Sequence, residues 1–396
     1  LVDGIHDQIS QEFQGTYEGD RLTVVGGLFY MVENIASHQV AFADDLLTGP
    51  GGFTFMRTID DDLETTSWAV YANASLALTN RLNASVGVRY TEETKDYFRT
   101  TSTFSDFPGL TVDPAFAFTI EDTWQDTSPM ASLDFQAWDN VLLYARVAMG
   151  FKSGGFNGRA NNPGEQAPYE PETVTSYELG LKSDWFNRTL RANLAVFYND
   201  YQDFQARVSG LVIDPGTGLP SPELSVLNAG SLEISGAELE LSYAPTDALL
   251  LDAQIGYLDA EYGEFEDARF VAFGGSRAFQ EPAFSPDWTA RFGAAYEFDL
   301  ASAGTLRLAG SARFRSRMAL AVDNTPVNSN VEIEGLFQDD YWLYDASLLW
   351  TEASGIFSVG LYGRNLSDEV YRTDGQEFSS VGNIALFYMH SIPHCH

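Results

Sequence analysis

The sequence predicts an all-β protein: a fragment of an antiparallel, membrane-spanning β-barrel with about 14 long, meandering strands. Three observations predict it. Apolar and polar residues alternate with period two, the mark of strands whose two faces meet different surroundings. Several alternating runs exceed ten residues. That is longer than the five or six of an ordinary globular strand, and a tilted membrane crossing needs about nine to eleven. Short turns and long polar loops also succeed one another along the chain, as they do when one end of a barrel faces the periplasm and the other the exterior.

The alternation is clearest in four places. Tyr177, Leu179 and Leu181 oppose Glu178, Gly180 and Lys182. Leu190, Ala192, Leu194, Val196 and Tyr198 oppose Arg191, Asn193, Ala195, Phe197 and Asn199. Ala237, Leu239, Leu241 and Tyr243 oppose Glu238, Glu240 and Ser242. Leu306, Leu308, Gly310, Ala312 and Phe314 oppose Arg307, Ser311, Arg313, Arg315 and Arg317.

Extending this pattern predicts strand cores at 8–18, 20–33, 63–78, 81–98, 122–137, 141–154, 171–186, 189–204, 223–243, 249–262, 284–299, 305–317, 339–351 and 356–367. Short turns fall near Gly19-Asp20, Thr79-Asn80, Asp139-Asn140, Asn187-Arg188, Pro245-Thr246, Ser302-Gly304 and Ala353-Gly355. Long loops are expected at roughly 34–61, 99–121, 155–171, 204–222, 262–283, 317–338 and 366–378. The repeat is strand, long loop, strand, short turn. A propeller would repeat four short strands per blade instead. No segment has a helical pattern, and no run of about 18 apolar residues offers a transmembrane helix.

Aromatics make up 14 % of the chain, and many sit near strand ends: Trp68 and Tyr71, Tyr90 and Tyr97, Trp185 and Phe186, Tyr198 and Tyr201, Tyr296 and Phe298, Trp342 and Tyr344. Interface girdles place amphipathic rings at such positions.

Charge excludes one class of partner. Lys+Arg is 22 against Asp+Glu 56, a formal net charge of −34, so a basic surface for nucleic-acid phosphates is absent. The single cysteine, Cys395, excludes an intrachain disulfide.

Five runs resemble the barrel of TonB-dependent outer-membrane receptors, and they occur in that family's order. They are GVRYTEETKD at 87–96, GFKSGGFN at 150–157, YEPETVTSYELGLK at 169–182, NAG at 228–230 with ISGAE at 234–238, and GRNLSDEVY at 363–371. The resemblance implies a barrel of about 22 strands around an N-terminal plug. It also implies import of scarce ligands, often iron–siderophore complexes, vitamin B12 or glycans, with the iron–siderophore class leading, and energy passed from the inner membrane through TonB. Residues 1–387 are then read as a partial barrel domain and 388–396 as an atypical tail. The plug, the TonB-contacting region and the first strands have no counterpart here, and the last strand departs from the family pattern after Phe387. An open, curved sheet or a strained closure is the expected form.

On this reading the polar face lines the lumen, through Arg191, Asn193, Glu238, Glu240, Arg307, Arg313, Arg315 and Arg317, and in an intact receptor holds the plug. Ligand contacts come from the loop side, with Phe156, Asn157, Arg159, Tyr169 and Arg207 as the loop candidates. The expected partners are outer-membrane lipid, the TonB complex through the plug region, and a small ligand such as a metal chelate. No cofactor and no resident metal are expected.

Other constellations are weaker. Asp60-Asp61-Asp62 with Asp44-Asp45 lacks the alternating ligands and glycine of a calcium loop. His390, His394, Cys395 and His396 have metal-ligand chemistry, but Pro393 interrupts their spacing. A Ser-His-Asp triad would have to draw on His6 or His38, and there is neither a nucleophile elbow nor a phosphate-cradling glycine loop. Two alternatives stay open: a passive porin-like channel, and a soluble acidic β-rich carbohydrate-binding protein or enzyme.

Overall fold

The structure is a computed structural model, and it describes residues 2–43, 55–105, 116–158, 160, 165–213, 220–267, 275–325, 331–378 and 384–390. Fourteen strands form one antiparallel sheet. They are β1 (Val2–Glu18), β2 (Leu22–Ala43), β3 (Phe55–Ala77), β4 (Leu82–Ser105), β5 (Phe116–Trp138), β6 (Val141–Lys152), β7 (Glu172–Trp185) and β8 (Leu190–Gln202), then β11 (Gly230–Thr246), β12 (Leu249–Phe265), β13 (Trp288–Asp299), β14 (Thr305–Arg315), β17 (Tyr341–Thr351) and β18 (Ser358–Gly363). Three small ladders lie outside this sheet: β9 (Gln205–Ile213) with β10 (Pro220–Asn228), β15 (Met318–Ala319) with β16 (Phe337–Gln338), and β19 (Tyr371–Phe378) with β20 (Ile384–His390).

The register carries one apolar face across the whole sheet. Reading strand to strand, Leu28 opposes Val70, Ala131 opposes Val147, and Leu194 opposes both Leu181 and Leu239. Further on, Ile255 opposes Ala290, Ala290 opposes Phe314, and Leu308 opposes Leu348, which opposes Leu361. A one-residue slip in any ladder would carry a charged row onto this face, so alternation fixes the register at every step.

Aromatic residues bound the apolar face at two levels. The upper level holds Trp68 and Tyr90 with ring centroids 5.4 Å apart, Tyr177 and Tyr198 at 6.4 Å, Tyr257 and Trp288 at 4.9 Å, and Phe314 and Trp342 at 5.0 Å. The lower level holds Trp185, Tyr243, Tyr296 with Phe298, and Trp350 with Phe357. Phe298 is ten residue steps beyond Trp288, about 34 Å of strand at ~3.4 Å per residue. At a tilt near 40° this spans roughly 26 Å of membrane normal, close to the height of an outer-membrane barrel's apolar band. Tyr71, Tyr97 and Tyr201, expected in the girdles, stand on the opposite face. Tyr71 donates to Glu12 Oε1 at 2.6 Å, Tyr97 is buried, and Tyr201 packs on a loop core.

Thirteen of the fourteen expected strand cores each coincide with one strand of the large sheet, one is split, and the differences lie at the loop ends. Much of the expected loops 34–61 and 99–121 is strand: β2 runs on to Ala43, β3 begins at Phe55, β4 runs to Ser105 and β5 begins at Phe116. Above the upper aromatic level the outward face is no longer apolar, with Glu64, Asp96 and Glu121 in one row across β3, β4 and β5. Apolar alternation stops there while backbone pairing continues. The expected strand 223–243 is two strands. Pro220–Asn228 folds back on Gln205–Ile213 as a hairpin, and β11 starts at Gly230. Gly230 has φ +114°, and a Cβ there would meet the Glu264 carbonyl oxygen at 2.6 Å, so only glycine makes this break.

The short-turn end follows the expected positions closely. Phe186, Asn187 and Arg188 all have positive φ in the β7–β8 turn, and a short 3-10 helix, Ala301–Ala303, joins β13 to β14. Near the far end, β20 pairs with β19 from Ile384 to His390, so the backbone of Tyr388, Met389 and His390 continues a strand. His394, Cys395 and His396 lie outside the described residues. Among the described residues the two outermost strands, β1 and β18, each have one ladder, to β2 and to β17, and no ladder joins them.

The two-faced wall makes a direct prediction. Leu194 is 44 % exposed on the apolar face, between Tyr198 above and Leu190 below. Leu194→Arg is expected to destabilise the folded chain in lipid vesicles by about 2–4 kcal/mol, measured by reversible denaturant unfolding. Asn193→Arg, on the other face, is expected to cost about 0.5 kcal/mol or less.

Candidate functional site

Above the upper aromatic level the loops fold onto the polar face, which makes it the inner one. The inward side chains of β3, β4 and β5 there include Leu63, Tyr97, Phe118, Ile120 and Trp124, and Phe156 of the β6–β7 loop packs onto them. Phe156 lies parallel to Tyr97 at 5.8 Å and tilted against Trp124 at 5.6 Å. Ring pairs of this kind add to the gain from apolar burial.

Polar clamps hold the same loop. Lys95 Nζ donates to Ser153 Oγ at 2.7 Å and to the Gly154 carbonyl at 2.8 Å. Ser153 in turn donates to Glu93, and Lys95 sits 5.5 Å from the Trp124 ring centroid. Arg99, 1 % exposed, donates to the Ala160 carbonyl and to Asp61 Oδ1, each at 2.6 Å. The Tyr97 hydroxyl also donates to Asp61, at 2.5 Å. Burial, reinforced by that bond to Asp61, pushes the Tyr97 phenol well above its ordinary range. Gly154 leaves no room for a side chain, because a Cβ would collide with the Trp124 ring and the Tyr169 carbonyl.

The loop is braced from its other side by the β9–β10 hairpin. Gln205 Nε2 donates to the Ser153 and Glu170 carbonyls at 3.0 and 3.1 Å. Asn228 Oδ1 accepts from the Glu170 N–H, and its Nδ2 donates to the Glu170 carbonyl, both at 2.8 Å. A second core follows, formed by Ala206, Val208, Ala229, Leu232, Tyr262 and Phe265. Beside it the fully buried Arg277 binds Asp267 at 2.9 Å and also Asp323, tying two loops together. Burial raises the Tyr262 phenol as well.

The loop candidates divide accordingly. Phe156 and Asn157 are packed into the clamp at 9 % and 3 % exposure. Tyr169 pairs with Gly155 through backbone bonds of 3.1 and 2.9 Å, and burial raises its phenol. Arg207 is exposed on β9. Arg159 lies outside the described residues. Lys95, Arg99 and Trp124, which hold the loop, were not singled out in the sequence. Their inward parity on a strand together with an opposing aromatic was the available signal.

Seven of the wall candidates stand together on the inner face by register. Arg191 pairs with Asp184 at 3.1 Å, and Asn193 Nδ2 donates to Glu240 at 3.4 Å. Arg313 pairs with Asp345 at 2.8 Å. Glu238, Glu240, Arg313 and Arg315 border a cavity of about 380 Å³ together with Arg291. Arg307 is exposed further down β14. Arg317, an eighth, lies just beyond the end of β14 and pairs with Glu281 at 2.8 Å and Glu332 at 2.5 Å. Asp60 is paired with His38 at 2.6 Å, and His6 with Glu33 at 2.9 Å. Among the described residues no group of three or more His, Cys, Asp or Glu side chains is arranged to hold a metal ion.

A sheet apolar outside, polar inside and roofed at one end by inward-folded loops defines the wall of a membrane-spanning β-barrel of the receptor type. The chain belongs to the TonB dependent receptor-like β-barrel family, whose model matches residues 4–366. It is 24 % identical over 374 residues to the pesticin receptor of Yersinia pestis, covering 93 % of this chain and 48 % of that protein. It is 26 % identical over 225 residues to the probable TonB-dependent siderophore receptor PiuA of Acinetobacter baumannii, covering 54 % and 27 %. Its fold is similar to the crystal structure of the ferric yersiniabactin uptake receptor FyuA from Yersinia pestis, with a TM-score of 0.73 and 19 % identity, over 98 % of this chain and 53 % of that one. The chain spans about half the length of the first of these relatives.

Two predictions follow from the clamp. Arg99→Met would leave the Asp61 carboxylate with the Tyr97 hydroxyl but without its buried cationic partner, an effect worth about 3–5 kcal/mol. Amide exchange in residues 153–158 is expected to accelerate while exchange in β7 and β8 stays unchanged. The second concerns pH. With folded-state pKa values raised, Tyr97 and Tyr262 contribute stability that is complete below the usual tyrosine value near 10. That stability is lost as pH climbs above it, because the unfolded chain ionises first. In an alkaline absorbance titration, Tyr97→Phe is expected to remove part of the late, unfolding-linked phase and leave the early phase unchanged.

Proposed function

We propose that this chain is the barrel wall of an active-uptake receptor for scarce nutrients, with ferric–siderophore complexes as the ligand class. The reading is supported most by one observation: an apolar outer face kept in register through fourteen strands, with loops packed inward at only one end. In a bilayer the backbone of a spanning strand can be satisfied only by neighbouring strands. The protein resides in the outer membrane of a Gram-negative bacterium. The relatives named as siderophore, ferric yersiniabactin and pesticin receptors support the ligand class.

In this reading the wall is a scaffold with a transport role rather than a catalytic one. Arg191, Asn193, Glu238, Glu240, Arg307, Arg313 and Arg315 line the lumen and hold an N-terminal plug region, through which the TonB complex supplies energy. Phe156, Asn157, Tyr169 and Arg207 belong to the mouth. Phe156 and Asn157 shape it from behind, and the exposed Arg207 is the one of the four best placed to meet a ligand.

The test uses the intact receptor gene. Its disruption is expected to abolish uptake of a radioiron-labelled ferric siderophore under iron starvation, and a protonophore is expected to do the same in the wild type. Unchanged uptake across a siderophore panel, combined with a steady, protonophore-insensitive conductance in planar bilayers, would establish a passive channel instead.

A further inference from the structure

On the lipid-facing side, the five strands β4–β8 carry a groove. Two adjacent outward rows form its flanks. The first reads Val86, Ala131, Val147, Tyr177 and Tyr198. The second reads Ala84, Leu133, Ala145, Leu179 and Val196. Between them runs backbone whose side chains, such as Arg146 and Glu178, point inward. The space is about 700 Å³ and is bordered by both rows. Ala131 lies between Val86 and Val147, and Ala145 between Leu133 and Leu179, so each flank has a dip. On β13, β14 and β17 the outward face is filled instead by rings, with Phe292 and Phe314 packed on Trp342 at 6.4 and 5.0 Å.

The groove has a direction. It starts at Tyr177 and Tyr198, on the upper aromatic level. Its far end is at Val86, four residues below Tyr90 on the same strand, about 10 Å down the membrane normal at ~3.4 Å per residue and a tilt near 40°. Across the strands it spans four ladder steps, about 19 Å at ~4.8 Å per step. One leaflet's hydrocarbon is about 15 Å deep. The groove therefore slopes from the exterior headgroup level through most of the outer leaflet. In hydrocarbon such a groove gains nothing by leaving water. It gains by being filled, because atoms that face a gap lose their dispersion contacts.

Residues at the upper end select the headgroup. Asp200, the next outward residue above Tyr198, faces Glu233 across the ladder, and Glu233 faces Glu261. Like charges opposed in this way weaken a sheet. Every Lys and Arg of β4, β6, β7 and β8 has inward parity, and β5, β11 and β12 carry none. A headgroup bearing only phosphate is repelled here. An ammonium gains from the carboxylates and from the faces of the two tyrosine rings, 6.4 Å apart.

We propose that this groove seats one acyl chain of an outer-leaflet phospholipid with an ammonium headgroup. The chain lies from Tyr198 toward Ala84, and the ammonium stands at Asp200 and Glu233. The site goes beyond the uptake reading and does not rest on it, since it needs only the lipid-facing side of the wall. All five strands are paired on both sides within the sheet, so the groove is complete in this chain.

The full chain, folded in detergent, is titrated with an equimolar mixture of phosphatidylethanolamine and phosphatidylglycerol with identical acyl chains. Native mass spectrometry counts the bound lipid. Phosphatidylethanolamine is expected to be retained over phosphatidylglycerol at least about threefold. Ala131→Leu with Ala145→Leu, which fills both dips, is expected to cut retention of both lipids at least about threefold. Ala192→Leu, an outward change of the same kind beyond the groove, is expected to leave retention unchanged. Asp200→Asn with Glu233→Gln is expected to remove the preference and keep the bound chain. Unchanged circular dichroism verifies each fold. Retention that filling leaves unchanged, or that Ala192→Leu lowers equally, overturns the proposal. So does a preference for phosphatidylglycerol, or a preference that the amide pair leaves intact. A chain dimer that filling abolishes while lipid adducts persist overturns it as well, because the groove then seats a second copy.

Discussion

Backbone hydrogen bonding in a medium without water is the constraint on which the rest of this structure depends. A strand in hydrocarbon must find its partners in adjacent strands, and each partner must present the same face outward. The chain meets both demands through alternation. From Phe13 on β1 to Leu361 on β18 the outward rows are apolar, and the charged residues are displaced to the inner face or above the upper aromatic level. The high acidity of the chain is compatible with this, because much of it stands where water reaches the strands. Asp7, Glu64, Asp96 and Glu121, for example, occupy one outward row above Trp68 and Tyr90.

The inner face obeys different rules. Near the mouth it is dry enough to bury Arg99, Tyr97 and Trp124 beneath a loop, and there each charge has a partner. At membrane depth it is open, and Arg291, Arg313, Glu238 and Glu240 face a cavity. The same strand therefore serves two purposes along its length. β4 presents Val86 and Val88 to lipid, Lys95 and Arg99 to the loop clamp, and Tyr90 to the interface between.

How much of this was legible in the sequence depended on where lipid acts as a filter. Between the two aromatic levels the alternation at Leu190–Tyr198 or Leu306–Phe314 gave strand and face, and the inward parity of Asn193, Glu240 and Arg313 followed from it. Beyond the upper level the filter is gone. Strands such as β2 and β4 run on through polar sequence that reads as loop, and the break at Gly230 is set by a backbone angle that hydropathy does not report. The loop clamp was hidden for a related reason. Lys95 and Ser153 lie far apart in sequence, and only the fold reveals that Phe156 has a ring to stack on. Three tyrosines, Tyr71, Tyr97 and Tyr201, were misassigned because clustering near a strand end does not say which side a ring takes; parity does.

The meander has a kinetic consequence. With two exceptions, every ladder in the large sheet joins strands that follow one another in the chain; the exceptions, β8 to β11 and β14 to β17, span only the small β9–β10 and β15–β16 ladders. Each added hairpin closes a short loop, so the entropy lost at each step is small and grows slowly with loop length. Such a wall can zip up from any starting hairpin, in either direction, without long searches between distant segments. Only one sticky border on each flank is exposed while it does so, and the hazard of mispairing is confined to whichever strand is outermost at that moment.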